Sequence, residues 1–335
     1  MATMKAVQVT RPGTFELVER EVPEAGPGQV RVKVLACGVC HSDMFVRSGG
    51  FPGLVLPRVP GHEIAGVVDA VGAGVTAWEV GDRVGVGWHG GHCFQCDACR
   101  RGLFINCKAG KVTGVSHDGG YAEYAVVPHE SVARMPAGMD AVDAGPLLCA
   151  GVTTYNALRN SGARPGDTVA VQGIGGLGHL ALQYAARMGF RTVAISRGAD
   201  KESLARELGA HEYVDTDKAP AAEALKALGG ADVVLATAPN SEAIGSTVNG
   251  LKSRGKLLIV AAPFEPLSVS AMGLLSGKSV AGWPSGSAID SEDTMAFSAL
   301  TGVRPRVETF KLEQADEAFA KMMENRVRFR AVLTP

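Results

Sequence analysis

The sequence predicts an α/β protein of two domains: a β-rich, partly closed barrel and a doubly wound parallel sheet of six strands. Three observations carry this prediction. A glycine turn, Gly173-Ile174-Gly175-Gly176-Leu177-Gly178, separates an apolar run from a helical one. The chain before residue 148 is built of short apolar or alternating runs cut by Gly/Pro turns, and near residue 150 the rhythm changes to strand–helix alternation. A length of 335 residues allows roughly two domains and a sizeable core.

In chain order, Val30-Arg31-Val32-Lys33-Val34 alternates as a half-buried strand does, and Ile64–Val68 is a short apolar run. Pro23, Gly26-Pro27-Gly28, Gly72-Ala73-Gly74 and Gly81-Asp82 supply turns between them. Val80–Val84 reads as a turn entering a strand, and Tyr121–Val127 as another strand. Many short strands joined this way suggest a partly closed barrel. From Thr168–Gln172 onward, strands are expected at Thr192–Ile195, Glu212–Val214, Asp232–Ala236, Lys256–Ala262 and Ser279–Ala281. Helices are expected over His179–Ala186 and Lys201–Leu208, the second stopped by Gly209. Six strands are the number of a doubly wound nucleotide-binding sheet. The tail, with a helix around Gln314–Glu324 and a strand at Phe329–Leu333, is too short for a core of its own and returns to the first domain. The expected domains are 1–148 with 285–335, and 149–284.

Hydrophobic residues make up 46% of the chain and charged ones 20%, as in an ordinary globular protein. A net charge of −1 gives no electrostatic reason to expect nucleic acid or an anionic membrane as partner. The N-terminus lacks a signal-peptide core, and no run approaches the roughly 20 apolar residues of a membrane span. The expected location is the cytoplasm. Seven cysteines, an odd number without a signal peptide, point to a reducing compartment in which clustered thiols bind metal.

The glycine turn carries the first functional signal. Gly173, Gly175 and Gly178 fit the dinucleotide fingerprint, with Gly176 and Leu177 between them: a tight turn, a close backbone approach to pyrophosphate, and close helix–sheet packing. The helix that follows offers free N–H groups to phosphate. Cofactor choice rests about 20 residues further on, where an acid would bind the ribose 2′-hydroxyl. Here the chain reads Ile195-Ser196-Arg197-Gly198-Ala199-Asp200-Lys201. Ser196 replaces the acid while Arg197 and Lys201 add positive charge, which favours NADP(H) over NAD(H); Asp200 weighs the other way.

Cys93, Cys96, Cys99 and Cys107 match a closed, structural zinc site. A ferredoxin-type cluster fits less well, since its fourth Cys follows three residues after the third and precedes Pro, whereas here seven residues intervene and Lys108 follows. A second set is dispersed: Cys40 in Cys40-His41-Ser42-Asp43, His62-Glu63, and Cys149. Two thiolates and an imidazole would leave zinc one open position. Spacing alone leaves each of them also readable as a core residue. His-Glu-x-x-His is absent, because Gly66 stands where the second His would be.

Cys40-His41-Ser42-Asp43, Gly61-His62-Glu63, the four-Cys lobe, Cys149-Ala150-Gly151-Val152-Thr153 and the glycine turn, in that order, make the whole chain resemble a zinc-containing alcohol dehydrogenase. The family is the medium-chain dehydrogenase/reductases, and the branch is the one that includes cinnamyl-alcohol dehydrogenase-like proteins. The resemblance implies a GroES-like catalytic domain, an inserted Rossmann domain and a cleft between them. It implies Cys40, His62 and Cys149 as catalytic zinc ligands with Glu63 as an alternative ligand, hence two zinc ions per chain. Ser42 stands where relatives start a proton relay, and Asp43 is placed to orient His62. Phe45 replaces a relay His of several relatives; with Trp88 it is expected to line the substrate pocket, favouring apolar or aromatic alcohols and aldehydes. Arg330 and His41 are expected near phosphate, and Thr153 on the nicotinamide. The last Rossmann strand, which extends the sheet across a two-fold in relatives, implies a homodimer or homotetramer. The activity implied is hydride transfer between a primary alcohol or aldehyde and NAD(P)(H). A polyol or secondary-alcohol dehydrogenase is the nearest rival. A non-catalytic zinc-stabilised NADPH-binding protein is disfavoured because every ligand and Ser42 are present.

Overall fold

The computed structural model describes residues 2–261 and 263–335. The chain divides into two compact units, Met1–Val152 with Gly286–Pro335, and Thr153–Ser285. The first boundary falls a few residues later than the sequence suggests. The reason is local: Leu147–Gly151 is a π-helical turn continuous with the helix Val152–Arg159, so no linker interrupts the chain where its composition changes.

The first unit begins with β1 (Thr3–Gln8) and β2 (Glu16–Glu21), an antiparallel pair that the sequence reading missed. Next come β3 (Gln29–Val39), β4 (Ile64–Val71), β5 (Arg83–Val86), β6 (Tyr124–Pro128) and β7 (Val132–Arg134). In β3 the alternation works as anticipated: Val30, Val32 and Val34 are buried, while Arg31 turns outward to Asp69 at 2.6 Å. The expected strand over Tyr121–Val127 starts only at Tyr124, since Tyr121 and Ala122 serve bridges to β1 instead.

The second unit holds β8 (Thr168–Gln172), β9 (Arg191–Ser196), β10 (Glu212–Asp215), β11 (Ala231–Ala236), β12 (Leu251–Ile259) and β13 (Ser279–Gly282). All neighbours are parallel, in the order β10-β9-β8-β11-β12-β13. Counted from β8 this is 3-2-1-4-5-6, the doubly wound nucleotide-binding order, with its switch point beside β8. Every residue of β8 is buried, as a central parallel strand requires. The strand expected over Lys256–Ala262 begins five residues earlier; Ala262 lies outside the described residues.

The chain then returns to the first unit through the helix Ala288–Thr301 and ends in β14 (Val307–Lys311), the helix Ala315–Met323 and β15 (Arg330–Thr334). β15 pairs with β3, completing a sheet ordered β14-β15-β3-β4-β5-β7, with β6 also on β3. A core of Val30, Val32, Ile64, Val84, Tyr121, Phe319 and their neighbours fills this unit. Among the described residues no helix is long and apolar enough to cross a membrane.

Candidate active site

Four ligand-type side chains converge in the first unit. Cys40 directly follows β3, His62 and Glu63 directly precede β4, and Cys149 lies on the π-helical turn. One ligand atom from each lies within 4.8 Å of all the others. Cys40 Sγ and Cys149 Sγ are 3.7 Å apart. Two sulfurs bound to one tetrahedral zinc at about 2.3 Å stand about 3.8 Å apart, whereas a disulfide needs about 2.05 Å. His62 Nε2 is buried with no hydrogen-bond partner, and Nδ1 faces Asp43 Oδ1 at 3.2 Å. An orphaned ring nitrogen opposite a carboxylate-held one is the arrangement of a metal-ligating imidazole. The residues fit zinc.

The electrostatics of the pocket agree with that donor set. A hydrogen bond from the Cys149 thiol holds Cys40 well below the ordinary thiol range, and the same bond with burial pushes Cys149 well above it. Burial opposes charge on His62, but Asp43 and Cys40 outweigh it and keep the imidazole well above its usual value. Burial pushes Glu63 up to about 7 against the pull of Arg330. The Arg330 guanidinium pairs with Glu63 Oε1, leaving Oε2 without a partner. Gly38 makes room for this carboxylate: a Cβ there would stand 1.8 Å from Oε2.

Asp43 is the hub behind the ligands. Its Oδ2 accepts from the Cys40 backbone N–H and from the Tyr121 hydroxyl, both at 2.9 Å. Ser42 caps the short helix Asp43–Arg47 in position only, for its side chain makes no cap hydrogen bond. His41 is exposed. An aromatic wall leads to the ligands: Phe45 meets Phe51 edge-on at 6.2 Å, Phe51 meets Trp88 at 6.1 Å, and Trp88 meets the His62 ring at 4.9 Å.

The second cluster is the lobe of Cys93, Cys96, Cys99 and Cys107, whose sulfurs also lie within 4.8 Å of one another. Sulfur–sulfur contacts of 3.5–4.0 Å again match the edges of a zinc tetrahedron. Backbone N–H groups of Cys93 and Cys96 donate to Cys107 Sγ and Cys93 Sγ at 3.3 and 3.4 Å. Hydrogen bonds from the backbone of Cys99 and Lys108 hold Cys96 down at about 6, while burial pushes Cys99 up to about 12.

In the second unit, the glycine turn joins β8 to the helix Gly178–Arg187. Gly173 has φ +93°, and a Cβ there would stand 2.6 Å from that of Ala238; at Gly178 it would stand 1.9 Å from the Gly173 carbonyl. Gly175 is exposed, with nothing within 4 Å of its Cβ position. The turn thus has two glycines required by packing and one facing open space, a cradle that fits a pyrophosphate. Thr237, from the loop after β11, braces it by donating to the carbonyls of Gln172 and Gly173 at 2.9 and 3.0 Å. Lys201 Nζ donates to the Ile174 carbonyl at 3.1 Å, so its ammonium is engaged with the turn. Ser196 ends β9 and Arg197 is exposed. Thr153 is buried, with its hydroxyl on Ser285 Oγ at 3.1 Å. Arg330, expected at phosphate, makes its ion pair with Glu63 and is buried in the first unit. That contact serves charge balance at the ligand pocket.

Sequence reasoning missed Tyr121, Phe51, Thr237 and the Glu63–Arg330 pair. Tyr121 reaches Asp43 across 78 residues of chain, and Arg330 reaches Glu63 across 267, so no local pattern announces either contact.

A doubly wound sheet with a dinucleotide-type turn, in one chain with a sheet domain holding two four-residue clusters of zinc-type donors, is the make-up of a zinc-dependent nicotinamide oxidoreductase. Known proteins narrow the class. Residues 26–137 match the alcohol dehydrogenase GroES-like domain and residues 176–300 the zinc-binding dehydrogenase domain. The chain is 49% identical to alcohol dehydrogenase notN of Aspergillus sp. (strain MF297-2), covering 98% of this chain and 96% of that protein. It superimposes on the cinnamyl alcohol dehydrogenase SbCAD4 of Sorghum bicolor with a TM-score of 0.89 at 32% identity, covering 99% of this chain and 98% of that one. It also superimposes on the CAD of Helicobacter pylori, solved with NADP(H), with a TM-score of 0.88 at 26% identity over 99% and 98% of the two chains. The chain belongs to the zinc-containing alcohol dehydrogenases of the medium-chain dehydrogenase/reductase family. It is an oxidoreductase that moves hydride between an alcohol or aldehyde and a nicotinamide dinucleotide.

Proposed function

We propose that this enzyme interconverts medium-sized apolar or aromatic primary alcohols and aldehydes, with NADP(H) preferred over NAD(H) and two zinc ions per chain. The observation that carries the reading is the convergence of Cys40, His62, Glu63 and Cys149 at the end of an aromatic wall. Cys40, His62 and Cys149 would hold the catalytic ion, and Cys93, Cys96, Cys99 and Cys107 the structural one. Zinc held there would supply Lewis acidity toward an alcohol or carbonyl oxygen, and a bound dinucleotide would supply the hydride donor or acceptor.

The chain's own residues do the rest. Asp43, fixed by Tyr121 and by the Cys40 N–H, holds His62 Nδ1 so that Nε2 points to the ligand cluster. Ser42 Oγ, two residues beyond Cys40, is the group that takes the hydroxyl proton on oxidation and returns it on reduction. Phe45 cannot relay that proton onward, so it leaves Oγ by a route that bypasses the side chain three residues along. Phe45, Phe51 and Trp88 bind the substrate's apolar part and keep water from it. Glu63, paired with Arg330, is a carboxylate in reserve beside the ligands. Ser196 and Arg197 receive the ribose 2′-phosphate. Solved relatives include enzymes in complex with NADP(H) and with NAD, so the preference rests on Ser196 and Arg197 alone. A homodimer or homotetramer built along the β13 edge, working in the cytoplasm where thiols stay reduced, completes the reading.

Metal analysis together with kinetics over alcohols, aldehydes and polyols with both dinucleotides tests it. The expected result is about two zinc ions per chain and highest kcat/KM on aromatic aldehydes with NADPH. Strong polyol turnover with negligible aldehyde reduction would sink the substrate assignment. Substituting Arg197→Asp should move preference toward NADH, by repulsion of the 2′-phosphate.

A further inference from the structure

Selectivity between the two dinucleotides is read at the end of β9, where Ser196 and exposed Arg197 stand in place of an acid. An arginine on a loose loop discriminates poorly, because ordering the loop on binding offsets what its charge gains. The structure shows what orders this loop. Gly198 sits at φ +68°. Its N–H donates to Asp215 Oδ1 at 2.8 Å, and its carbonyl accepts from the Tyr213 hydroxyl at 2.7 Å. Asp215 Oδ1 also accepts the Asp217 N–H at 3.0 Å. On the other side of Arg197, the Ser196 carbonyl accepts the Thr216 N–H at 3.0 Å and its hydroxyl at 3.4 Å. The end of β10 therefore grips the backbone on both sides of Arg197. The Asp215 side chain is only 10% exposed, with Lys218 Nζ 3.8 Å from its other oxygen. Its carboxylate is spent on backbone N–H groups and one ammonium.

We infer that Asp215, seconded by Tyr213, is a positioning residue for dinucleotide selectivity: it holds Ser196-Arg197-Gly198 in the shape that reads the ribose 2′ position. The residue acts through the loop and touches no substrate. The inference rests on the proposed dinucleotide site for its location and on the proposed NADP(H) preference only for its sign. A rival account makes Asp215 a negative charge that repels a 2′-phosphate. The two predict opposite results.

The test measures Kd for NADPH and for NADH separately, by fluorescence titration of the reduced nicotinamide with the zinc-loaded protein. The variants are Asp215→Ala, Asp215→Asn and Tyr213→Phe, each with its melting temperature. Removing an acceptor that serves two N–H groups should weaken the preferred dinucleotide about tenfold and the other less than about threefold, so the Kd ratio moves toward one. Asp215→Asn keeps an acceptor oxygen and loses the charge, and should hold the ratio within about twofold of the parent. Tyr213→Phe, which preserves ring packing, should shift the ratio about threefold in the same direction as Asp215→Ala. If Asp215→Ala does not fold, Tyr213→Phe decides alone, and an unchanged ratio overturns the inference. Tighter NADPH binding in Asp215→Asn overturns it in favour of charge repulsion. A parent protein that prefers NADH refutes the NADP(H) reading, and the inference then still requires the ratio to move toward one.

Discussion

Tyr121→Phe isolates the hydrogen bond that ties the core of the first unit to its ligand pocket. The phenol is fully buried, its ring packs edge-on against Phe15 at 6.0 Å, and its hydroxyl donates to Asp43 Oδ2 at 2.9 Å. Phenylalanine keeps the ring, so packing changes little and the loss falls on the hydroxyl. A hydrogen bond to a charged acceptor contributes about 1.5–3 kcal/mol, and here the acceptor stays buried when the donor goes. Asp43 retains the Cys40 N–H on the same oxygen and His62 on the other, so about 1.5–2 kcal/mol is the better figure. For a unit of roughly 200 residues that lowers Tm by about 3–8 °C. The functional effect is larger in relative terms. Groups that orient a metal-ligating imidazole are worth about 10–100-fold in metal affinity or activity. Zinc Kd, measured by competition with a chromogenic chelator, should rise by that factor for one of the two ions, and kcat should fall with it. Unchanged zinc affinity and an unchanged Tm would refute the chain Tyr121–Asp43–His62 as a means of orienting the ligand.

If Cys40, His62 and Cys149 hold the first zinc and leave one position open while the four-Cys lobe is closed, chelation should proceed in two phases: activity is lost with the first zinc, and Tm falls with the second. Cys107→Ser should reproduce the second phase, with the zinc count falling from two toward one as read by atomic absorption. The glycine turn separates packing from binding. Gly178→Ala places a Cβ 1.9 Å from a carbonyl and should cost about 1–3 kcal/mol in denaturant unfolding. Gly175→Ala meets nothing within 4 Å and should unfold like the parent while dinucleotide Kd rises by an order of magnitude or more. Trp88→Ala opens the wall beside His62 and should reduce the kcat/KM preference for aromatic over two-carbon aldehydes by about 10–200-fold. A preserved preference would place the substrate elsewhere.

The second unit was more legible in the sequence than the first, and the reason is the kind of contact each uses. Parallel strands buried on both faces read as apolar runs, and each is followed by a helix of its own. Thr168–Gln172 is such a strand, while the edge strands Glu212–Val214 and Ser279–Ala281 are only partly buried and follow from the strand–helix alternation; all three lie within a residue or so of β8, β10 and β13. In the first unit, β3 pairs with β4, β6 and β15 at once, and its register shifts between Arg31 and Val32 and between Val34 and Ala36. Pairings between residues as distant as Cys37 and Leu333 leave no periodic trace. The β1–β2 pair was missed for a related reason: Glu16–Glu21 alternates between half-buried and exposed positions, none of its residues is fully buried, and only Val18 packs against the core.

The same distinction runs through the site. Candidate ligands are identifiable because their chemistry is rare and their local motifs are short: Cys40-His41-Ser42-Asp43, His62-Glu63 and the four-Cys lobe each lie within about 15 residues of chain. The groups that make those ligands work are ordinary residues used at long range. Tyr121 has the composition of a strand residue and Arg330 that of a charged tail. Each acquires its role from a backbone or side-chain partner brought up by the fold. Cys149 stands between the two cases. Its sequence neighbours Leu147, Leu148 and Ala150 are fully or almost fully buried, and by pattern it is one more apolar position of a helix. The π-helical turn Leu147–Gly151 widens the spiral at that point, and Cys149 is the one position of the turn that is only partly buried, with its sulfur 3.7 Å from that of Cys40. A single irregular turn thus carries the cysteine that stands beside Cys40, and such a turn is a property of packing that residue-by-residue propensities do not contain.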